Sequence, residues 1–206
     1  TRSGYAIDWG DGSVQSLTAA EWAAAAGSFS HAYADGAMGG SARLISVSAT
    51  DEDGTHLLGT QAVTVQNAAP IVVPTGAAAT TEGASYVLDL VGSDPAGAAD
   101  TLSYSIDWGD GSAAQVLTAV QLAALGGSVA HVFADDDDGP LNATDRTITV
   151  TVSDEDGGSS TTTKTVTVNN VAPTVALVGA PIVVEDVLYT LDLGAVSDPG
   201  DDTVAN

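Results

Sequence analysis

Several residue types that often carry a protein's chemistry are missing or scarce in this chain. Its 206 residues include no cysteine, which excludes disulfides, thiolate metal sites and a cysteine nucleophile. Four basic residues stand against 27 acidic ones, and the net charge of −23 excludes a nucleic-acid binder, which needs a positive surface. The same charge argues against an anionic membrane surface as the partner. No run of about 18 apolar residues is present, so no membrane-spanning helix is predicted.

The scarcity of aromatic residues limits how a core can be built. Phenylalanine, tyrosine and tryptophan make up 5% of the chain, whereas hydrophobic residues make up 44%. This hydrophobic fraction is typical of a folded protein and excludes disorder throughout the chain. We therefore expect a core of valine, leucine, isoleucine and alanine, with carboxylates as the abundant functional groups.

The sequence repeats itself at a nearly constant interval. Four motif pairs show this: IDWGDGS (7–13 and 106–112), HAYAD and HVFAD (31–35 and 131–135), DEDG (51–54 and 154–157), and NAAP and NVAP (67–70 and 170–173). Their offset grows from 99 to 103 residues, as expected if loops absorb insertions while strands keep their length. The match continues beyond the last pair, where Glu82, Tyr86, Leu88 and Leu90 recur as Glu185, Tyr189, Leu191 and Leu193.

The predicted repeat boundaries do not coincide with the ends of the chain. We predict the C-terminal part of a first repeat in residues 1–68 and a complete repeat in residues 69–170. Residues 171–206 then form the first two strands of a third repeat. On this interpretation, the chain is a segment of a longer tandem array.

Short strands dominate the complete repeat. The segment TITVTV at 147–152 alternates strictly, which places Ile148, Val150 and Val152 on one face of a strand. Such strands, separated by Gly/Asp turns, predict an all-β sandwich. One short helix interrupts them, because Thr118 and Gln121 form a capping-box pattern before an apolar run, and Thr18 and Glu21 repeat it.

The motifs together resemble a known family. SDP, then Y-x-IDWGDG, then H-x-F-A-D, then TVSDEDG is similar to the PKD (polycystic kidney disease) domain. The order Asp107–Trp108 and the inserted helix look more like the PKD-type repeats of giant bacterial surface and RTX-type adhesins, which serve in biofilms. The resemblance implies immunoglobulin-like β-sandwich modules in tandem, each with one short helix. It also implies that they are non-catalytic, secreted or exposed on the bacterial cell surface, and often bound to calcium.

Acidic loops supply candidate metal ligands. In a sandwich array, the exit end of one module faces the entry end of the next, so the acidic loops gather at the linkers 67–70 and 169–173. Calcium prefers six to eight oxygen ligands in a flexible cage, whereas magnesium keeps its waters and a strict octahedron. The first predicted junction combines Asn67, Asp94, Asp100, Asp154, Asp156 and Asp11. The second combines Glu82, Asp110, Asn170, Asp198, Asp201 and Asp202.

Simpler interpretations of the same residues stay open at this stage. Asp110, Asp154 and Asp156 also fit turns in which the side chain caps its own backbone. The run Asp135–Asp138 also fits a solvated acidic loop. His31 and His131 fit packing positions in a strand, and no nucleophile-elbow motif supports a catalytic triad, so we expect no enzyme.

Three functions remain open. The first is a structural segment of a calcium-stiffened extracellular adhesin or fibre that projects a distal binding domain. The second is a carbohydrate- or protein-binding accessory module, for which Trp22 and Tyr5 are the best candidate contacts. The third is head-to-tail assembly with neighbouring repeats or other copies, in which one chain's tail strands complete the next chain's head.

Overall fold

The computed structural model describes residues 4–136 and 142–200, and its strands form four sheets. The chain divides into two compact units. The first consists of Thr1–Ile71, Ser93–Leu102 and Ser153–Ser160. The second consists of Val72–Gly92, Ser103–Val152 and Thr161–Asn206. The three predicted repeats stay a prediction.

The described residues are mostly strands, which confirms the predicted all-β class. In chain order the strands are β1 (Gly4–Asp8), β2 (Val14–Leu17), β3 (Ser41–Asp51), β4 (Gly54–Val65), β5 (Ile71–Gly76), β6 (Ala79–Thr81), β7 (Ser85–Ser93), β8 (Ser103–Asp107), β9 (Gln115–Thr118), β10 (Ser128–Val132), β11 (Ala143–Ser153), β12 (Ser159–Asn169), β13 (Thr174–Gly179) and β14 (Leu191–Ser197). The helices are α1 (Ala19–Ala24) and α2 (Ala119–Ala124), and a 3-10 turn spans Gly97–Ala99.

The middle of the chain forms an immunoglobulin-like sandwich. One sheet has the strand order β10-β7-β5, and the other has the order β6-β12-β11-β8-β9. The short strand β6 runs parallel to β12, whereas β7 and β10 pair antiparallel. Tyr86 of β7 meets Trp108 edge to face, with ring centroids 6.5 Å apart, so the inner faces of the two sheets pack on each other.

Alternating aliphatic residues build the core, as the sequence pattern predicts. Ile148, Val150 and Val152 on β11 are all 0% exposed, and so are Val166 and Val168 on β12. Aliphatic side chains therefore fill this core between a few aromatic rings, and a tight core of this kind holds the loops at the sheet ends in place.

Two further sheets repeat parts of this sandwich. The sheet β2-β1-β3-β4 belongs to the first unit and carries the same motifs as β9-β8-β11-β12. The pair β13–β14 belongs to the second unit and corresponds in sequence to β5 and β7. The predicted strand around His31 is wrong, because residues 28–33 have no regular structure. Its counterpart β10 pairs with β7, and the described residues offer residues 28–33 no such partner.

Both predicted capping boxes are confirmed. Thr118 accepts a hydrogen bond from the backbone N–H of Gln121, and the Gln121 side chain accepts one from the N–H of Thr118 at 2.8 Å. Thr18 and Glu21 form the same reciprocal pair at the start of α1. Each box satisfies two backbone donors that a six-residue helix would otherwise leave open.

Removal of the cap should destabilise α2 measurably. We expect Thr118→Ala to lower the free energy of unfolding by about 1 kcal/mol, because the N–H of Gln121 loses its acceptor. Thr118→Ser keeps the hydroxyl and should retain most of the stability, and Val120→Ala, at a side chain 77% exposed, should change little. Thermal melts of the four proteins measure this, and equal losses in Thr118→Ala and Thr118→Ser would contradict it.

Candidate metal centres

Five aspartates of the first unit form two overlapping groups. One group is Asp35, Asp100 and Asp156, and the other is Asp94, Asp100 and Asp154. Within each group, one carboxylate oxygen per residue lies within 4.8 Å of the others. The fold sets these positions, since Asp94 follows β7, Asp100 follows the 3-10 turn, and Asp154 and Asp156 lie in the β11–β12 turn.

Several oxygens in this cluster are buried without a hydrogen-bond partner. Asp100 is 7% exposed, and neither of its carboxylate oxygens has a partner. Asp35 Oδ1 and Asp94 Oδ2 are in the same state. Because a buried polar atom without a partner is costly, these four oxygens are candidate ligand atoms for a cation.

Hydrogen bonds fix three further oxygens of the cluster. Asp94 Oδ1 accepts from the N–H of Ala96 at 2.8 Å, and Asp154 Oδ1 accepts from the N–H of Gly158 at 2.7 Å. Asn67 Nδ2 donates to Asp154 Oδ2 at 2.8 Å, which brings the predicted linker residue to the cluster. Asp154 therefore caps its turn and lies in an acidic group at the same time.

Gly158 is required by the close approach of these groups. A Cβ atom there would collide with the Asp154 carboxylate and lie 2.8 Å from Asn67 Nδ2. A larger residue would displace the carboxylate from the cluster.

The cluster concentrates negative charge. Burial, followed by the charges of Asp94, Asp35, Glu155 and Asp154, raises the pKa of Asp100 to about 6. In the part of the chain that the structure describes, no lysine or arginine forms an ion pair with these carboxylates. Within the described residues, no lysine or arginine therefore serves as a counterion to the charge at this site.

The second unit holds a separate acidic group. Its members are Glu82, Asp135 and Asp136, and both Glu82 and Asp136 are 1% exposed. Glu82 accepts a hydrogen bond from the N–H of Asp136 at 3.2 Å and another from the N–H of Val171 in the linker. Asp135 Oδ1 and Asp136 Oδ2 are buried without a partner.

Two further predicted ligands of this unit have buried oxygens. Asn170 Oδ1 and Asp198 Oδ2 both lack a hydrogen-bond partner. A Cβ at Gly200 would lie 2.7 Å from the Glu82 carboxyl carbon, so the segment after Asp198 runs against Glu82. Asp201 and Asp202, which the sequence also predicts as ligands, lie outside the described residues, as do Asp137 and Asp138.

Arg146 supports this second group through the backbone. Its Nη2 donates to the carbonyl oxygen of Asp136 at 3.0 Å and to that of Asp135 at 3.3 Å. The guanidinium thus holds the loop and leaves both carboxylates unpaired. Arg43 occupies the same place in the first repeat.

Sequence reasoning missed Asp35, Asp135 and Asp136 as ligands. The burial of Asp136 is incompatible with a solvated acidic loop at that residue. The available signal was the shared AD ending of HAYAD and HVFAD, which repeats Asp35 as Asp135.

Asp198 belongs to none of the acidic groups of the described residues, and neither do the predicted ligands Asp11 and Asp110. Asp110 Oδ2 contacts His131 Nε2 at 2.6 Å, and the His131 ring stacks on Trp108 with centroids 4.4 Å apart. Asp11 contacts His31 at 2.6 Å in the same way. Each aspartate also accepts from the backbone N–H of the serine two residues later, which is the predicted turn role.

The pKa values of these two aspartates reflect that pairing. The hydrogen bond with His31, followed by that from the Ser13 backbone, lowers the pKa of Asp11 to about 2. Burial alone would raise the pKa of Asp110, but hydrogen bonds with Ser112 and His131 hold it below its usual value. Both carboxylates are thus anions whose oxygens already have hydrogen-bond partners.

The aromatic rings that could bind a carbohydrate, Tyr5 and Trp22, already contact other rings of the chain. Tyr5 and Trp22 stack on each other with centroids 4.5 Å apart, and Phe29 lies 5.0 Å from Trp22. Both Tyr5 and Trp22 are half-buried. A sugar ring would have to compete with these ring contacts for the same faces.

Comparisons with known proteins assign no family to this chain. No protein-family model matches the chain, and no curated protein matches it. Among solved structures, the PKD1 domain of Vibrio anguillarum Epp is similar, with 24% sequence identity and a TM-score of 0.35. That match covers 50% of this chain and 98% of the Epp domain. The immunoglobulin-like assignment therefore rests on the strand order and core described above.

The helices of the described residues give no sign of membrane insertion. None of them is long and apolar enough to cross a bilayer.

The buried Asp100 should make the metal-free chain more stable in mild acid. Its folded-state pKa of about 6 exceeds the ordinary value of 3.8, so folding favours the protonated form, and this contribution fades as pH rises through 6. In EDTA, we expect Asp100→Asn to melt higher than wild type near pH 7.5, and the difference to shrink toward about pH 5.

Melting curves across this pH range measure that difference. Asp186→Asn is the control, because Asp186 lies at φ 62°, a conformation that asparagine also adopts, and outside both clusters. A difference between wild type and Asp100→Asn that stays constant from pH 7.5 to 5 would contradict the assignment.

Proposed function

We propose that this chain is a structural segment of an extracellular tandem array, such as an adhesin or fibre, and that calcium binds its acidic clusters and stiffens it. The single observation behind the proposal is that both clusters contain nine-tenths-buried carboxylates whose oxygens lack partners, Asp100 in one and Asp136 in the other. A buried anion of this kind is stable when it coordinates a cation.

The origin of the ligands supports a linking role. Asp35 belongs to the first sequence repeat, and Asp94, Asp100, Asp154 and Asp156 belong to the second. An ion bound among them would hold segments that are far apart along the chain. In the second unit, Gly200 of the third sequence repeat lies against the Glu82 carboxyl group of the second.

The donor set favours calcium over other metals. Every candidate ligand atom is a carboxylate or amide oxygen, and neither cysteine nor histidine takes part. Hard oxygen ligands suit calcium and magnesium, whereas zinc and copper prefer nitrogen and sulfur. A loop-built cluster of irregular geometry fits calcium better than the strict octahedron of magnesium.

An extracellular location fits the same chemistry. A cysteine-free, acidic chain can cross a membrane unfolded and complete its structure where calcium is abundant, because binding and folding are coupled. The resemblance to PKD-type repeats supports this location. A carbohydrate-binding role has no comparable support, since Tyr5 and Trp22 pack on each other.

Calcium should raise the thermal stability of the chain. With a Kd near 10⁻⁴ M, about 10 mM calcium adds roughly 2.7 kcal/mol per independent site. Asp136→Asn should lose the part of this calcium-dependent stabilisation that its own cluster contributes. Asp186→Asn should be stabilised by calcium as much as wild type. Calorimetry in EDTA and in calcium measures this, and a melting temperature unchanged by calcium would contradict the calcium part of the proposal.

We also propose that the chain associates head to tail, because it presents two complementary sheet faces. In the middle sandwich, β5 and β7 cover the sheet that contains β8 and β11. The sheet β2-β1-β3-β4 carries the same inward-facing pattern. On this face Ile7 and Ala49 are buried, whereas Tyr5, Trp9 and Val47 are only half-buried. The occupant we propose for this face is the β13–β14 pair of a second copy.

The tail pair has the side chains that such a contact needs. Leu191 and Leu193 are 48% and 67% exposed, whereas their counterparts Leu88 and Leu90 are 0% and 5% exposed. The contact joins two different surfaces, so it propagates into an open chain of copies instead of closing as a dimer.

Sedimentation velocity at increasing protein concentration tests this assembly. We expect growth beyond a dimer, and we expect Leu191→Asp/Leu193→Asp to abolish it, because charged residues cannot enter the apolar face. Leu188→Asp is the matched control, since Leu188 is 90% exposed and precedes β14. A strict monomer at every concentration, or a dimer that grows no further, would overturn head-to-tail assembly.

A further inference from the structure

The two acidic groups of the first unit meet at one residue. Asp100 belongs both to the group with Asp35 and Asp156 and to the group with Asp94 and Asp154. The five aspartates are not gathered into one set around a single point. Two centres that share a carboxylate account for this arrangement.

The unpartnered oxygens are distributed as two centres require. Both oxygens of Asp100 are buried and lack hydrogen bonds. One further such oxygen lies in each group, Asp35 Oδ1 in the first and Asp94 Oδ2 in the second. A single ion next to one oxygen of Asp100 would leave the other oxygen, and one of the two groups, without a partner.

The oxygens of the other two aspartates remain available as ligands. Asp154 accepts one hydrogen bond on each oxygen, from Gly158 and from Asn67, and each carboxylate oxygen has a second lone pair. Asp156 Oδ1 accepts only a long contact of 3.4 Å from the N–H of Met38. Each group therefore offers three carboxylates to one ion.

The charge balance also favours two ions. Five carboxylates carry five negative charges, so one calcium leaves three uncompensated and two leave one. A bridging position also stabilises Asp100 as an anion in a place where burial and four neighbouring carboxylates oppose its ionisation.

We infer that the first unit holds a pair of calcium ions and that the carboxylate of Asp100 bridges them, with Asp35 and Asp156 on one ion and Asp94 and Asp154 on the other. This inference rests on the proposed function, because it assumes that calcium is the cation of these clusters. It adds the number of ions and the distinct position of Asp100.

Counting bound ions in single variants tests the bridge. Native mass spectrometry and isothermal titration with calcium, on the full chain, give the number of ions bound at saturation. We expect Asp35→Asn and Asp94→Asn to lose one ion each, and Asp100→Asn to lose two. The double variant Asp35→Asn/Asp94→Asn should also lose two, which tests the pair without changing the bridge, and Asp186→Asn should lose none.

The possible outcomes separate this inference from the proposed function. Loss of only one ion in both Asp100→Asn and the double variant would overturn the bridge and leave calcium binding intact. A wild-type chain that binds no calcium would overturn both. Circular dichroism in EDTA checks that each variant is folded, and if Asp100→Asn is not, the double variant decides the result.

Discussion

The constraint on which the rest of this structure depends is the burial of carboxylates that form no ion pair with a lysine or arginine among the described residues. Four basic residues cannot offset 27 acidic ones, and the fold buries part of the excess. It places Asp100 and Asp136 behind the sheet ends with open oxygens. Such an arrangement opposes folding in the absence of cations, and with the proposed calcium sites stability and ion binding would be one property of the chain.

The sandwich makes this arrangement possible because it is insensitive to what its loops contain. Strands β11 and β12 are held by valine and isoleucine side chains that are fully buried, so the turn between them can carry Asp154 and Asp156. Gly158 then leaves room for the Asp154 carboxylate to turn inward. The aliphatic core thus stabilises the fold while the loops carry the charge.

The sequence allowed prediction of the strands, both capping boxes and the inner faces, because each depends on a local period or spacing. Most of the predicted ligands also lie in or beside the clusters, since the repeats show which loops share an end of the sandwich. Asp11 and Asp110 differ because a histidine distant in sequence reaches each of them, which no local pattern records. Asp136 was missed because a run of aspartates looks the same in sequence whether it is solvated or buried.

The hydrogen bonds from Arg146 to the carbonyl oxygens of Asp135 and Asp136 have a kinetic consequence. Because the guanidinium fixes the backbone of this loop, the carboxylates are held in position before any ion arrives, and little ordering remains for the binding step. At the proposed calcium site of this unit, the backbone of the loop would then need little rearrangement when the ion binds. Through the proposed calcium sites, an array of these modules would stiffen or relax as quickly as the calcium concentration around it changes.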